Sequence, residues 1–115
     1  MTGAAGGLGR GIALALGERG ANVVVCDLKK ESLQETAAAL QARGVRYLDC
    51  ACDVSDPESF EKVLEQAGER FGGADILVNN AGITRMQDFF EVGVKDFKAI
   101  FEVNVFGLHL TIFAM

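Results

Sequence analysis

Hydrophobic and polar positions along the chain alternate between two periods. After a glycine-dense opening over 1–11, Ile12, Ala15, Leu16 and Arg19 fall at helical spacing, and Gly20 reads as the stop. Ala21, Asn22, Val23, Val24, Val25, Cys26 and Asp27 then form a β-branched run closed by an acid. A run apolar on both faces predicts a parallel strand covered on both sides. A second helix carries Leu33, Ala37 and Leu40 on one stripe and ends at Gly44, and a second strand over 45–51 closes on Cys52-Asp53-Val54. The third helix buries Phe60, Val63, Leu64, Ala67 and Phe71 and stops at Gly72-Gly73. Its start has two readings: Ser55 with Glu58 as a capping box, or Asp56 as cap with Pro57 in the first turn. A third strand is predicted over 74–79. It leads into Asn80-Ala81-Gly82 and, after an irregular polar stretch, a last helix. That helix begins between 92 and 96 and carries Phe97, Ile100, Phe101, Asn104, Val105 and Leu108.

This alternation predicts an α/β domain with a doubly wound parallel sheet and right-handed crossovers. The 115 residues allow one domain, 1–115, with no repeat, linker or low-complexity stretch. One element is missing from the pattern: a turn of this kind normally closes a buried strand, yet only Met1 precedes Thr2.

The opening, Met-Thr-Gly-Ala-Ala-Gly-Gly-Leu-Gly-Arg-Gly, runs straight into the first helix. Glycine allows a tight turn and a close approach to the main chain. The helix start then aims unpaired N–H groups and the positive end of its dipole at whatever lies there. That is a phosphate cradle. The nucleotide triphosphatase loop is excluded, because it needs Gly-Lys-Ser/Thr and the first lysine is Lys29. The strict G-x-G-x-x-G/A pattern also fails, its third position falling on Ile12 or Leu14. Thr-Gly-x-x-x-Gly-x-Gly fits, over Thr2, Gly3, Gly7 and Gly9.

Composition removes several function classes. With 50% hydrophobic and 23% charged residues the chain is globular, and a net charge of −5 argues against nucleic-acid or membrane-surface partners. Cys26, Cys50 and Cys52 lie in strand-like runs without a C-x-x-C, and the sole histidine, His109, is far away, so no metal site is expected. The opening does not resemble a signal peptide, and the apolar run 105–115 spans eleven residues, short of a membrane crossing. A reducing, cytoplasmic setting is the expectation.

The glycine turn and the motifs after it resemble the short-chain dehydrogenase/reductase family, most specifically through Asn79-Asn80-Ala81-Gly82 following Ile76-Leu77-Val78. The resemblance implies a Rossmann-like sheet, here without its first strand and its C-terminal half. In the family that strand lies between those at Val23 and Ile76, so the chain alone is expected to be marginal or rearranged, and catalytically silent. An apolar strand encoded in frame upstream is a further expectation.

The implied activity is hydride transfer between a nicotinamide cofactor and an alcohol or carbonyl. Gly3, Gly6, Gly7, Leu8 and Gly9 would hold the pyrophosphate. Asp27, 24 positions after Gly3, would accept from the ribose hydroxyls and repel a 2′-phosphate. NAD is therefore expected over NADP, because Gly6 and Leu28 stand where NADP-preferring members tend to carry a basic residue. The other reading of Asp27 is a cap on the next helix. Asp53 and Val54 would flank the adenine, and Asn80 would line the cleft; a strand-end Asn also ties neighbouring strands together. Asn104 corresponds to the helix residue of the catalytic tetrad, which helps hold a water; its other reading is an Asn bonded back to its own helix.

The remaining tetrad members, a Ser and a Tyr-x-x-x-Lys, have no match: Tyr47 is the only tyrosine and Ala51 stands four places on. The family's assembly through the last helix implies a homodimer or homotetramer, although Phe97, Phe101 and Val105 fit an ordinary core stripe equally well. The rival reading is a non-catalytic remnant that binds nucleotide or pairs with a longer relative. Substrate identity stays open among steroid, sugar, fatty-acyl and polyol classes.

Overall fold

The computed structural model describes residues 1–86, 88 and 90–115. Strand β1 (Val23–Asp27) pairs in parallel with β2 (Tyr47–Ala51), Val23 opposite Tyr47 through Asp27 opposite Ala51. A parallel pair needs a crossover, supplied by a 3-10 turn, Lys30–Leu33, that runs into helix α2 (Gln34–Ala42).

Alternate side chains of β1 leave for opposite faces. Val23 and Val25 pack with Leu33, Leu40 and Ala13, the last on helix α1 (Gly7–Glu18). Cys26 and Cys50 pack with Phe60 and Val63 of helix α3 (Pro57–Phe71). Both faces are thus covered, as the continuous apolar runs demand.

Asp56 caps α3: its carboxylate accepts from the Glu58 N–H at 3.1 Å, with Pro57 in the first turn. Ser55 is occupied elsewhere, donating from Oγ to Asp53 Oδ1 at 2.6 Å. The helix ends on Gly72 in the left-handed conformation, φ +88°.

The strand expected over 74–79 does not form as one. Thr2 bridges Cys26 in parallel and its N–H reaches Val78 O at 3.1 Å, so Thr2 lies between β1 and the 76–78 stretch. Met1 extends this by one residue, its amino group donating to Val24 O and its carbonyl accepting from the Cys26 N–H, both at 3.0 Å. Beyond it, β1 and residues 74–78 face each other across a cavity of about 340 Å³, lined by Val24, Phe60, Leu64 and Ile76 among others. Strands pair at about 4.8 Å, and a stretch with no neighbour at that spacing builds no ladder however apolar it is.

Helix α4 (Val94–Phe101) starts within the expected interval and passes through a π turn, Glu102–Gly107, into α5 (Leu108–Ala114). The continuous helix Val94–Ala114 has 21 residues, and an 18-residue stretch within it has a mean hydropathy of 1.4, enough by length and composition to cross a membrane. The eleven-residue run read from the sequence therefore understated the apolar stretch. Phe97, Phe101 and Val105 are exposed rather than packed in a core stripe. The helix is fastened further along: a Cβ on Gly107 would stand 2.9 Å from Val54 Cγ2, and buried Thr111 donates to Asn79 Oδ1 at 2.8 Å.

Candidate functional site

No side chain caps α1, so the amides of its first turn are open to an external anion. Gly9 is required by contact: a Cβ there would stand 2.2 Å from Gly3 O and 2.7 Å from Asn80 Nδ2. Gly3 is required twice over, by φ +63° and by Ala81 Cα at 2.8 Å from a Cβ.

The opening turn and the 80–82 loop are tied side by side. Asn80 Nδ2 donates to Gly3 O at 2.8 Å and Thr2 O at 3.2 Å. In return, Thr2 Oγ1 accepts from the main-chain N–H groups of Asn80 and Ala81, both at 3.1 Å.

A cleft of about 460 Å³ lies beside them and brings together Gly3, Asp27, Asp53, Val54 and Asn80. Gly6, Gly7, Leu8 and Gly9 fall outside its lining, at the helix start. Asp27 does not cap the following 3-10 turn, whose capping position is Lys29. Its Oδ2 accepts from the Ala5 N–H at 3.0 Å and its Oδ1 from the Leu28 N–H at 2.9 Å. Each oxygen keeps a lone pair for a further donor.

Asp53 Oδ1 is held by Ser55, from its N–H at 2.9 Å and its hydroxyl at 2.6 Å. The Val54 side chain, expected to cover a base, lines the cleft but offers little surface to it. It is 8% exposed and turned into the core beneath Gly107. The apolar wall falls instead to Leu28, which lines the cleft at 63% exposure.

Asn104 sits in a neighbouring recess of about 110 Å³ with Thr2, Asn79 and Gly107. It is exposed, and it does not bond to its own helix. Ile83 satisfies it completely on one edge: the Ile83 N–H donates to Oδ1 and Nδ2 donates to Ile83 O, both at 2.8 Å.

The three cysteines are free, and among the described residues no cluster of metal-ligating side chains is found. A hydrogen bond to Cys52, followed by burial, pushes the Cys26 thiol well up, while the same bond pulls Cys52 down. Burial raises Cys50.

The family model described as short chain dehydrogenase matches residues 1–115. The chain belongs to that family. It is 38% identical over 110 residues to L-2,3-butanediol dehydrogenase of Corynebacterium glutamicum, covering 94% of this chain and 43% of the relative. It is 37% identical over 107 residues to a diacetyl reductase, (S)-acetoin forming, of Staphylococcus epidermidis, covering 93% and 42%. A solved short-chain type dehydrogenase/reductase from Mycobacterium marinum superposes with a TM-score of 0.95 at 37% identity, over 99% of this chain and 45% of that one. The chain therefore spans less than half the length of these relatives. The incomplete sheet is a portion of the short-chain dehydrogenase fold, and the family is one of oxidoreductases.

The sequence reading passed over Arg10. Its guanidinium donates from Nε to Thr36 Oγ1 at 3.0 Å and from Nη2 to Ala5 O at 2.6 Å, and meets Glu35 Oε2 at 2.8 Å. A signal was present. A cation near a helix N-terminus opposes the helix dipole, which marks it as held by something other than its own helix. Arg85, the only basic residue among the described residues lining the cleft, was passed over as well; it pairs with Asp96 at 3.4 Å.

Proposed function

We propose that the chain is the cofactor half of an NAD-dependent oxidoreductase that moves a hydride between nicotinamide and an alcohol or carbonyl substrate. One observation carries this reading: an uncapped helix start and a strand-end carboxylate are joined through a single residue, Ala5, whose N–H rests on Asp27. Together they offer main-chain donors for a diphosphate and acceptors for two sugar hydroxyls.

Gly3, Gly6, Gly7, Leu8 and Gly9 form the diphosphate cradle, and Asp27 takes the adenosine ribose and disfavours the 2′-phosphate of NADP. Asp53, Val54 and Asn80 line the adenosine side, with Leu28 as apolar cover. When bound, the nicotinamide supplies the hydride chemistry. Asn104 is the catalytic candidate: with one edge held by Ile83, it retains a hydrogen on Nδ2 and a lone pair on Oδ1 to hold a water.

The exposed apolar residues of the helix Val94–Ala114 are proposed to be covered by a second copy, giving a cytoplasmic homodimer or homotetramer. Lys95, Asp96, Lys98 and Glu102 near its start favour that over lipid. The net charge of −5 speaks against a nucleic-acid partner.

Small diols and diketones are the first substrates to try, given the names of the relatives.

Titration with NAD tests this reading. Asp27→Ala is expected to weaken uptake about 10- to 100-fold, the size of losing charged hydrogen bonds to the ribose; equal uptake by the variant would overturn it. Mixing these 115 residues with NADH and diacetyl is expected to leave the nicotinamide absorbance unchanged, since Asn104 is the one catalytic candidate among them, and a fall in absorbance would overturn that expectation.

A further inference from the structure

Ala5 is held from two sides by opposite charges. Its N–H rests on the Asp27 carboxylate at 3.0 Å and its C=O on the Arg10 guanidinium at 2.6 Å. One residue therefore separates anion from cation, well inside the screening length of about 8–10 Å. A Cβ on Gly6 would stand 4.0 Å from Arg10 Nη2, which puts the guanidinium beside the next turn residue as well.

Arg10 is pinned firmly. Thr36, fully buried, donates to Ala4 O at 2.7 Å and accepts from Arg10 Nε at 3.0 Å. Its charge is spent on Glu35, whose Oε2 lies 2.8 Å from Nη2 and whose side chain is 79% exposed. Guanidinium is the side chain best shaped to grip a phosphate in two-point contact, so a free one at this place would invite a phosphate.

We propose that the Arg10–Glu35 pair, acting with Asp27, sets the discrimination between NAD and NADP, Glu35 neutralising a guanidinium that would otherwise attract a 2′-phosphate arriving at Asp27. This rests on the reading that Asp27 holds the adenosine ribose. Asp27 repels the phosphate directly, and Glu35 withholds the cation that could compensate. Because Glu35 is exposed, removing its charge costs little stability, and Thr36 and the Ala5 carbonyl keep Arg10 in place.

The test is titration of the full 115-residue chain with NAD and with NADP, as wild type, Glu35→Gln and the double variant Arg10→Gln/Glu35→Gln. The ratio of NADP to NAD affinity is expected to rise about two- to fivefold in Glu35→Gln at low salt. It should shrink toward wild type as salt is added and return to wild type in the double variant. A loss of folding would weaken both cofactors and leave the ratio alone. An unmoved ratio in Glu35→Gln, or a gain that survives loss of Arg10, overturns the inference. Wild-type chain that takes up no NAD overturns the cofactor reading and this one with it, whereas uptake with an unmoved ratio overturns only this one.

Discussion

The helices α3 and α4 show the same kind of amphipathic pattern and meet different fates. Helix α3 buries Phe60, Val63 and Ala67, while α4 buries none of its residues. The contrast extends to the whole chain: the buried hydrophobic residues run from Ala4 to Ala67, and the exposed large ones after Leu8 and Leu28 begin at Ile76 and continue to Met115. An apolar stripe states which face seeks cover, and the rest of the sheet decides whether cover exists. The second region is held by a few specific contacts, chiefly Thr2 with Asn80, Asn104 with Ile83, and Thr111 with Asn79.

The difference is open to direct attack. Leu40→Ala in the packed region, at a residue 0% exposed, should cost about 3 kcal/mol in a urea melt. A loss below about 1 kcal/mol would mean that the first region is as loose as the second.

Thr2→Val removes the acceptor of two main-chain N–H groups and should cost about 2 kcal/mol. Hydrogen exchange at Asn80 and Ala81 should quicken while Val25 stays protected; uniform loss of protection would contradict the two-region picture.

Alkaline pH probes the thiols of the packed region. Cys26 and Cys50 are raised above 9.0, so above that pH the unfolded chain releases protons that the folded chain retains. Stability is then fully present below pH 9.0 and falls by roughly 1 kcal/mol toward pH 10, partly offset by the lowered Cys52. Melts at both pH values check this, and replacing Cys26 and Cys50 with Ala should flatten the slope.

Phe113→Ser, at 83% exposure, should change stability by less than about 0.5 kcal/mol in the monomer. A larger loss that grows with protein concentration would place Phe113 in a contact between copies.

Local rules were enough where neighbours in sequence settle the outcome. The apolar runs at Val23 and Tyr47 and the Gly72 stop follow from composition within a few residues, while the start of α3 carried two capping readings, of which the structure has Asp56. Asp27 was legible because the distance from Gly3 fixes which strand end meets the turn. What was not legible depends on distant partners. The 76–78 stretch is as apolar as β1, but what stands beside it is Thr2, whose N–H donates to Val78 O, and not a full strand. Val54 packs inward because Gly107 leaves room above it, and Asn104 found Ile83 rather than its own helix. Arg10 escaped notice because its partners, Ala5, Glu35 and Thr36, belong to two separate elements.

One hydroxyl has a reach that its size conceals. Thr2 Oγ1 takes the amides of residues 78 and 79 positions away along the chain, while the Thr2 N–H holds Val78 O. The two walls of the cleft therefore breathe on one clock: the loop at Asn80 cannot swing aside to admit or release a guest until Thr2 lets go. Entry and departure rates should follow release of the Thr2 hydroxyl, and a methyl-for-hydroxyl exchange there would be felt first as a change in residence time.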